Sequence, residues 1–255
     1  MSCGGEGEGN GAQGGGAPAE PKANLVEVGL TEYAFDMPDE VVGGTVTFEA
    51  VNTGDLPHEM GFAALPENRT IDDVMKALRT GQPPDWTKDL AGIPVVSPEI
   101  TTSMTRDLDE GQYVFWCFLP TPEGESHASE GMVKVFSVRG RSEAEPPQPD
   151  LTITATDEGF QVPEITAGKH TIELVNDGTK PHEFAFVSFE PGKGERDLGR
   201  WFGSGYETPA PAVFPGGLQA IEPGTSVLVE IKFESGRTYT LEDFPNELRT
   251  QIKVE

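Results

Sequence analysis

Residues 43–62, GGTVTFEAVNTGDLPHEMGF, align without a gap with residues 167–186, AGKHTIELVNDGTKPHEFAF. Asn52 meets Asn176, Gly54 meets Gly178, Pro57 meets Pro181 and His58 meets His182. A match at this spacing means that the chain builds the same supersecondary unit twice. In each copy an alternating run rich in β-branched residues reaches an Asn-x-Gly turn, followed by His-Glu and a second apolar run. Each copy therefore reads as strand, turn, strand. The later parts correspond too: residues 109–117, DEGQYVFWC, parallel residues 234–242, ESGRTYTLE, and MVKV at 132–135 parallels QIKV at 251–254. With 31 Gly and 22 Pro in 255 residues, short strands joined by turns are favoured over a helical bundle. The expected fold class is all-β: two tandem Greek-key β-sandwich domains with short helical insertions.

Composition sets the boundaries. Residues 1–21 are Gly-rich with almost nothing to bury, and read as a flexible tether. Residues 139–149 exchange a strand-like run for charge and proline, as a linker does. Residues 22–138 and 150–255 are then the two domains. Each carries an insertion expected to cover one end of its sandwich: TIDDVMKAL at 70–78, helical in spacing and capped by Thr70, and RDLGRWFG at 196–203 with the Gly/Pro-rich run after it. The 18 Lys+Arg against 43 Asp+Glu give a net charge of -25, which repels phosphate and argues against nucleic acid and anionic membrane surfaces as partners. No apolar run approaches the roughly 20 residues that span a bilayer.

The chemistry concentrates in residues 113–136, YVFWCFLPTPEGESHASEGMVKVF. Period-2 alternation sets Tyr113, Phe115 and Cys117 on one face, so a thiol at the strand end points into the core if the two rings do. His127 and Met132 can converge on it from the returning loop. A thiolate, imidazole nitrogen and a weak thioether together suit copper. His58, just past the Asn-x-Gly turn, supplies a second imidazole at the same end of a sandwich.

These residues, from Gly54 through His58 and from Cys117 through Met132, resemble the cupredoxin family of small blue copper proteins such as plastocyanin and azurin. The resemblance implies one type 1 copper ion held by His58, Cys117, His127 and Met132, and one-electron exchange with a donor and an acceptor protein. Nine residues separate Cys117 from His127 where those small carriers have only a few. In the second domain Glu242 stands for Cys117, Gln251 for Met132, and the His127 loop is largely missing, so this domain is expected to hold no metal. His182 is then structural and His170 a solvated strand residue. Four histidines and no His-x-His pair leave too few ligands for the further copper ions of the oxidases built from such domains, so the chain is not expected to be an enzyme. The alternatives are a copper carrier that hands its ion on and an extracytoplasmic binding module without redox turnover. Cys3, at the head of a Gly-rich spacer, resembles the lipidated cysteine of a mature bacterial lipoprotein. That resemblance implies an extracytoplasmic location, periplasmic or at the cell surface, and a membrane tether; otherwise Cys3 is a free thiol.

Overall fold

The computed structural model describes Met1 and residues 24–78, 88–89 and 91–255. The tether 1–21 beyond Met1, and Cys3 with it, lies outside the described residues. The first half contains β1 (Asn24–Thr31), β2 (Ala34–Asp36), β3 (Glu40–Asn52), β4 (His58–Leu65), α1 (Ile71–Leu78), β5 (Lys88–Asp89), β6 (Ile93–Val96), β7 (Thr101–Leu108), β8 (Gly111–Trp116) and β9 (Val133–Ser142). The second contains β10 (Leu151–Thr156), β11 (Gly159–Gln161), β12 (Gly168–Asn176), β13 (His182–Phe189), α2 (Glu195–Gly203), β14 (Ala212–Ile221), β15 (Ser226–Phe233), β16 (Thr238–Asp243) and β17 (Leu248–Lys253). The all-β sandwich expected from the repeat is what the chain forms. No helix among the described residues is long and apolar enough to cross a membrane.

The halves repeat one topology. In the first, β1 pairs antiparallel with β2 and parallel with β3, and β3 pairs antiparallel with β7. Facing that sheet is β6–β4–β8–β9. In the second, β10 pairs with β11 and β12, β12 pairs with β15, and the facing sheet is β14–β13–β16–β17. Alternation drives this: Val46, Phe48 and Ala50 of β3, and Ile172 and Leu174 of β12, turn into the core between the sheets.

The halves are also one continuous structure. Strands β7 and β15 pair antiparallel with Met104 opposite Val229, Thr105 opposite Leu228 and Ser103 opposite Glu230. Thr47 faces Thr105 in the first half, and its counterpart Thr171 faces Glu230 in the second, so Met104 and Val229 are equivalent positions that meet each other. That is the self-complementary contact of a two-fold axis, here within one chain. Strands β6 and β14 meet in the same way, with Pro215 opposite Val96, Gln219 N–H on the Gly92 carbonyl at 2.8 Å and Phe214 N–H on Ser97 Oγ at 3.0 Å.

Three expectations need adjustment. Strand β9 runs to Ser142, so residues 139–142 of the expected linker continue a sheet, paired in parallel with residues 42–44 through a bulge. Helix α1 is capped as expected, Thr70 Oγ1 accepting from Asp73 N–H at 3.2 Å while Asp73 Oδ2 accepts from Thr70 N–H at 2.9 Å, and it buries Val74; Ile71, though, is exposed. His170 is largely shielded rather than solvated, its Nδ1 3.1 Å from Asp150 Oδ2 and its Nε2 2.9 Å from the Thr166 carbonyl oxygen.

Candidate metal centre

His58 is placed by a turn that the repeat announced. Asn52 ends β3 fully buried; its Nδ2 donates to the carbonyls of Leu56 and Val96, both at 2.9 Å, and its Oδ1 accepts from Gly54 N–H at 3.0 Å. One amide thus folds residues 53–57 into a fixed bend, and β4 starts with His58 pointing inward. Glu32 holds the outside of the bend, its Oε1 accepting from Asp55 and Leu56 N–H.

Cys117 follows directly on β8. Tyr113, Phe115 and Cys117 enter the main core, as alternation predicts, while Val114 and Trp116 pack on the other face with Val74 of α1 and Ala128. The long step from Cys117 to His127 is absorbed by a narrow excursion of residues 118–126. Pro120 and Ser126 bridge, Thr121 N–H donates to the Glu125 carbonyl at 2.6 Å, and His127 N–H donates to the Leu119 carbonyl at 2.9 Å. The chain therefore comes back beside the point it left: Ala128 N–H reaches the Cys117 carbonyl at 2.7 Å and Cys117 N–H the Met132 carbonyl at 3.2 Å. Met132 N–H is tied to the His127 carbonyl at 2.9 Å, and its side chain lies fully buried in the same core as Cys117.

His58, Cys117 and His127 converge. The two Nδ1 atoms are 3.1 Å apart and Cys117 Sγ is 3.4 Å from His127 Nδ1. One donor atom from each of the three lies within 4.8 Å of the others, and all three residues are fully buried. Glu59 N–H points at the sulfur from 3.4 Å. Burial, and then the neighbouring His127, brings His58 down to about 4, and burial lowers His127 as well. Both rings are therefore neutral lone-pair donors at ordinary pH. Burial, then the Glu59 charge, pushes the Cys117 thiol well up.

This arrangement fits a cation. A neutral imidazole has one N–H and one bare nitrogen. If both Nδ1 atoms are bare, two lone pairs face each other; if one is protonated, the Nε2 of that ring is bare. The Nε2 atoms of both rings are buried without a hydrogen-bond partner, so an unmet lone pair remains in either tautomer. A metal bonded to two imidazoles and a thiolate at about 2.0–2.3 Å in a trigonal set separates its donors by about 3.5–3.8 Å, close to the spacings found. Soft sulfur beside two imidazoles, with a buried thioether in the same core, suits copper.

The sequence missed the groups around the cluster. The Tyr33 ring stands edge-on to His127, with centroids 5.2 Å apart, and Glu32 Oε1 lies 3.9 Å from His58 Nε2. Glu59 Oε1 accepts from Phe118 N–H at 2.7 Å, fixing the residue after the cysteine. The HEM and HEF tripeptides of the repeat were the available signal for Glu59.

In the second half the equivalent positions differ from those expected. Gly61 pairs with Trp116, and its counterpart Ala185 pairs with Glu242; Asp243, not Glu242, therefore takes the place of Cys117. Asp243 pairs with Leu248, so Leu248, not Gln251, stands where Met132 does. One extra residue before β16 causes the shift: Tyr113 Oη bonds the residue four before it, Tyr239 Oη the residue five before it, and Gly236 turns there at φ 78°. His182 keeps its place.

No protein-family model matches the sequence, and no curated protein matches it. Among solved structures, the chain is similar to dithionite-reduced auracyanin from Roseiflexus castenholzii, at 23% identity over 48% of this chain and 99% of that one, TM-score 0.34. It is also similar to auracyanin A, a "blue" copper protein of Chloroflexus aurantiacus, at 21% identity over 45% of this chain and 98% of that one, TM-score 0.33. A blue copper oxidase from Nitrosomonas europaea is similar over 91% of this chain and 86% of its own, at 13% identity and TM-score 0.27.

Proposed function

We propose that the protein is an extracytoplasmic type 1 copper protein of the cupredoxin kind that carries single electrons through one mononuclear site. His58, Cys117, His127 and Met132 are its ligands in a first domain that runs through β9, and the domain at 150–255 holds no metal. The observation that carries the reading is the convergence of His58 Nδ1, Cys117 Sγ and His127 Nδ1 from three separate elements in a fully buried core.

The bound ion would supply a one-electron acceptor and donor; the chain supplies everything that holds it still. Asn52 and Glu32 fix the bend that presents His58, and the backbone bonds from Cys117 to Met132 and Ala128 fix the returning loop. Ligands locked in this way rearrange little between oxidation states, and the Glu59 N–H on sulfur stabilises a thiolate. A site whose donors all come from the protein leaves no place for a substrate, which supports electron carriage over catalysis. Its partners would be a donor and an acceptor protein, with Cys3 as lipid anchor.

Titration of the purified protein with Cu(II) tests the reading. It should give an intense blue band that saturates at one ion per chain, bleaches with dithionite and returns on oxidation. A colourless Cu(II) complex, or binding of Cu(I) alone, would replace the electron carrier with a trafficking protein.

A further inference from the structure

The cluster is sealed from a side that belongs to the other half of the chain. Tyr206, three residues past α2, donates from Oη to the Pro120 carbonyl at 2.7 Å, at the shoulder of the excursion between Cys117 and His127. Beside it Gly205 lies flat on Pro122. A Cβ at Gly205 would sit 2.4 Å from the Pro122 carbonyl oxygen, and its φ of 68° lies in the left-handed region, so glycine is required on both counts. The pair is firmly mounted. The Tyr206 ring meets Trp201 edge-on at 4.9 Å, Tyr206 N–H bonds the Trp201 carbonyl at 3.2 Å, and Trp201 Nε1 bonds the Thr208 carbonyl at 2.8 Å. Trp201 and Leu198 of α2 are themselves buried against Val187, Ala212 and Phe214. Burial, followed by the nearness of Cys117, Tyr33 and Glu59, pushes the Tyr206 phenol well above its ordinary value; it stays a donor at any working pH and stands among the groups of the site.

We infer that the second half is the cover of the metal centre, with Tyr206 as the positioning residue that pins the Cys117–His127 excursion shut and Gly205 as the flat contact that lets it close. The inference rests on the copper reading only for what the covered site holds, since the seal itself belongs to the metal-free chain. The ligand-depleted half then acts as a gatekeeper, because opening this contact uncovers the cluster to water, reductants and chelators.

Alkylation of Cys117 by iodoacetamide in the full-length, metal-free protein tests this, in a Cys3→Ser background so that one thiol reports. Tyr206→Phe, which deletes only the hydrogen bond to Pro120, should speed alkylation about fivefold, the share of one such bond. Tyr206→Ala and Gly205→Ala should speed it by about thirtyfold or more. Ile172→Ala, a core truncation in the same half but away from the Tyr206 and Gly205 contacts, should leave the rate within about twofold of the parent even if it lowers the melting temperature further. The inference is overturned if Tyr206→Ala and Gly205→Ala alkylate within about twofold of the parent, or if Ile172→Ala accelerates the reaction as much as they do. Colour with Cu(II) is read separately on the same proteins: a colourless parent would remove the copper reading and leave the alkylation result standing.

Discussion

One architecture has been closed in two ways at the same place. In the first half, His58, Cys117 and His127 bring three donor atoms together with no full set of protons to share among them. In the second, the corresponding His182 is held by hydrogen bonds: its Nδ1 is 2.6 Å from Asp243 Oδ2 and its Nε2 3.1 Å from Asp157 Oδ1. Asn246 takes the returning position, its Nδ2 3.0 Å from Asp243 Oδ2 and 2.8 Å from the Pro181 carbonyl. The bend before the histidine is identical, with Asn176 bonding the Lys180 and Ile221 carbonyls just as Asn52 bonds those of Leu56 and Val96. A buried histidine at this position therefore needs company from its neighbours, and either protons or a metal can provide it. What decides is whether the neighbours are carboxylate and amide or thiol and imidazole.

The sharpest way to break the contrast is to make one half resemble the other. Cys117→Asp should abolish the blue band completely, because a hard carboxylate gives no sulfur-to-copper charge transfer; a retained band in the optical titration would exclude Cys117 as a ligand. Next in size is Asp243→Ala, which removes the carboxylate that the fully buried His182 Nδ1 and the Asn246 Nδ2 share, leaving His182 with Asp157 and Asn246 with the Pro181 carbonyl. It should cost about 3 kcal/mol of unfolding free energy in urea while the Cu(II) spectrum stays unchanged. Smaller still is the contribution of Glu183, raised to about 7 by burial and then by the charges of Asp243, Glu59 and Glu242, against the Phe244 N–H that favours its ionised form. A carboxyl raised on folding contributes stability below its unfolded pKa and loses it as pH rises through the folded one. Unfolding free energy should therefore fall between about pH 4.5 and 7 on this group's account, by on the order of 1–2 kcal/mol after solvent screening. Glu183→Gln should flatten that slope in urea titrations across the range, and a slope unchanged in the variant would assign it to other groups.

Much of this was readable in the residues, for physical reasons. The Asn-x-Gly, Pro and His spacing stands out because one amide must satisfy three backbone groups at once, and few residues can replace it. Alternation from Tyr113 to Cys117 predicted the inward thiol because strands leave side chains no other choice of face. The alignment of β16 failed by one residue because a single extra turn residue near Gly236 is invisible to pattern matching yet moves every later partner. Glu32, Tyr33 and Tyr206 carry no such signal: their role comes from tertiary contact, and nothing local in the sequence of a covering loop says what it covers. The seam between the halves is equally silent, since nothing in residues 101–108 or 226–233 marks them as a meeting edge and only the register of Met104 on Val229 reveals that like meets like.

That self-matched register has a consequence for how such a chain holds itself apart from its neighbours. An unpaired strand edge is a template on which other chains can grow, and here β7 with β15, and β6 with β14, consume each other's edges. The two halves make within one chain the kind of contact that a homodimer makes between two, so this contact neither dissociates nor depends on concentration. Severed within residues 143–149, the pieces would expose complementary sticky edges, and their natural fate would be to find one another again.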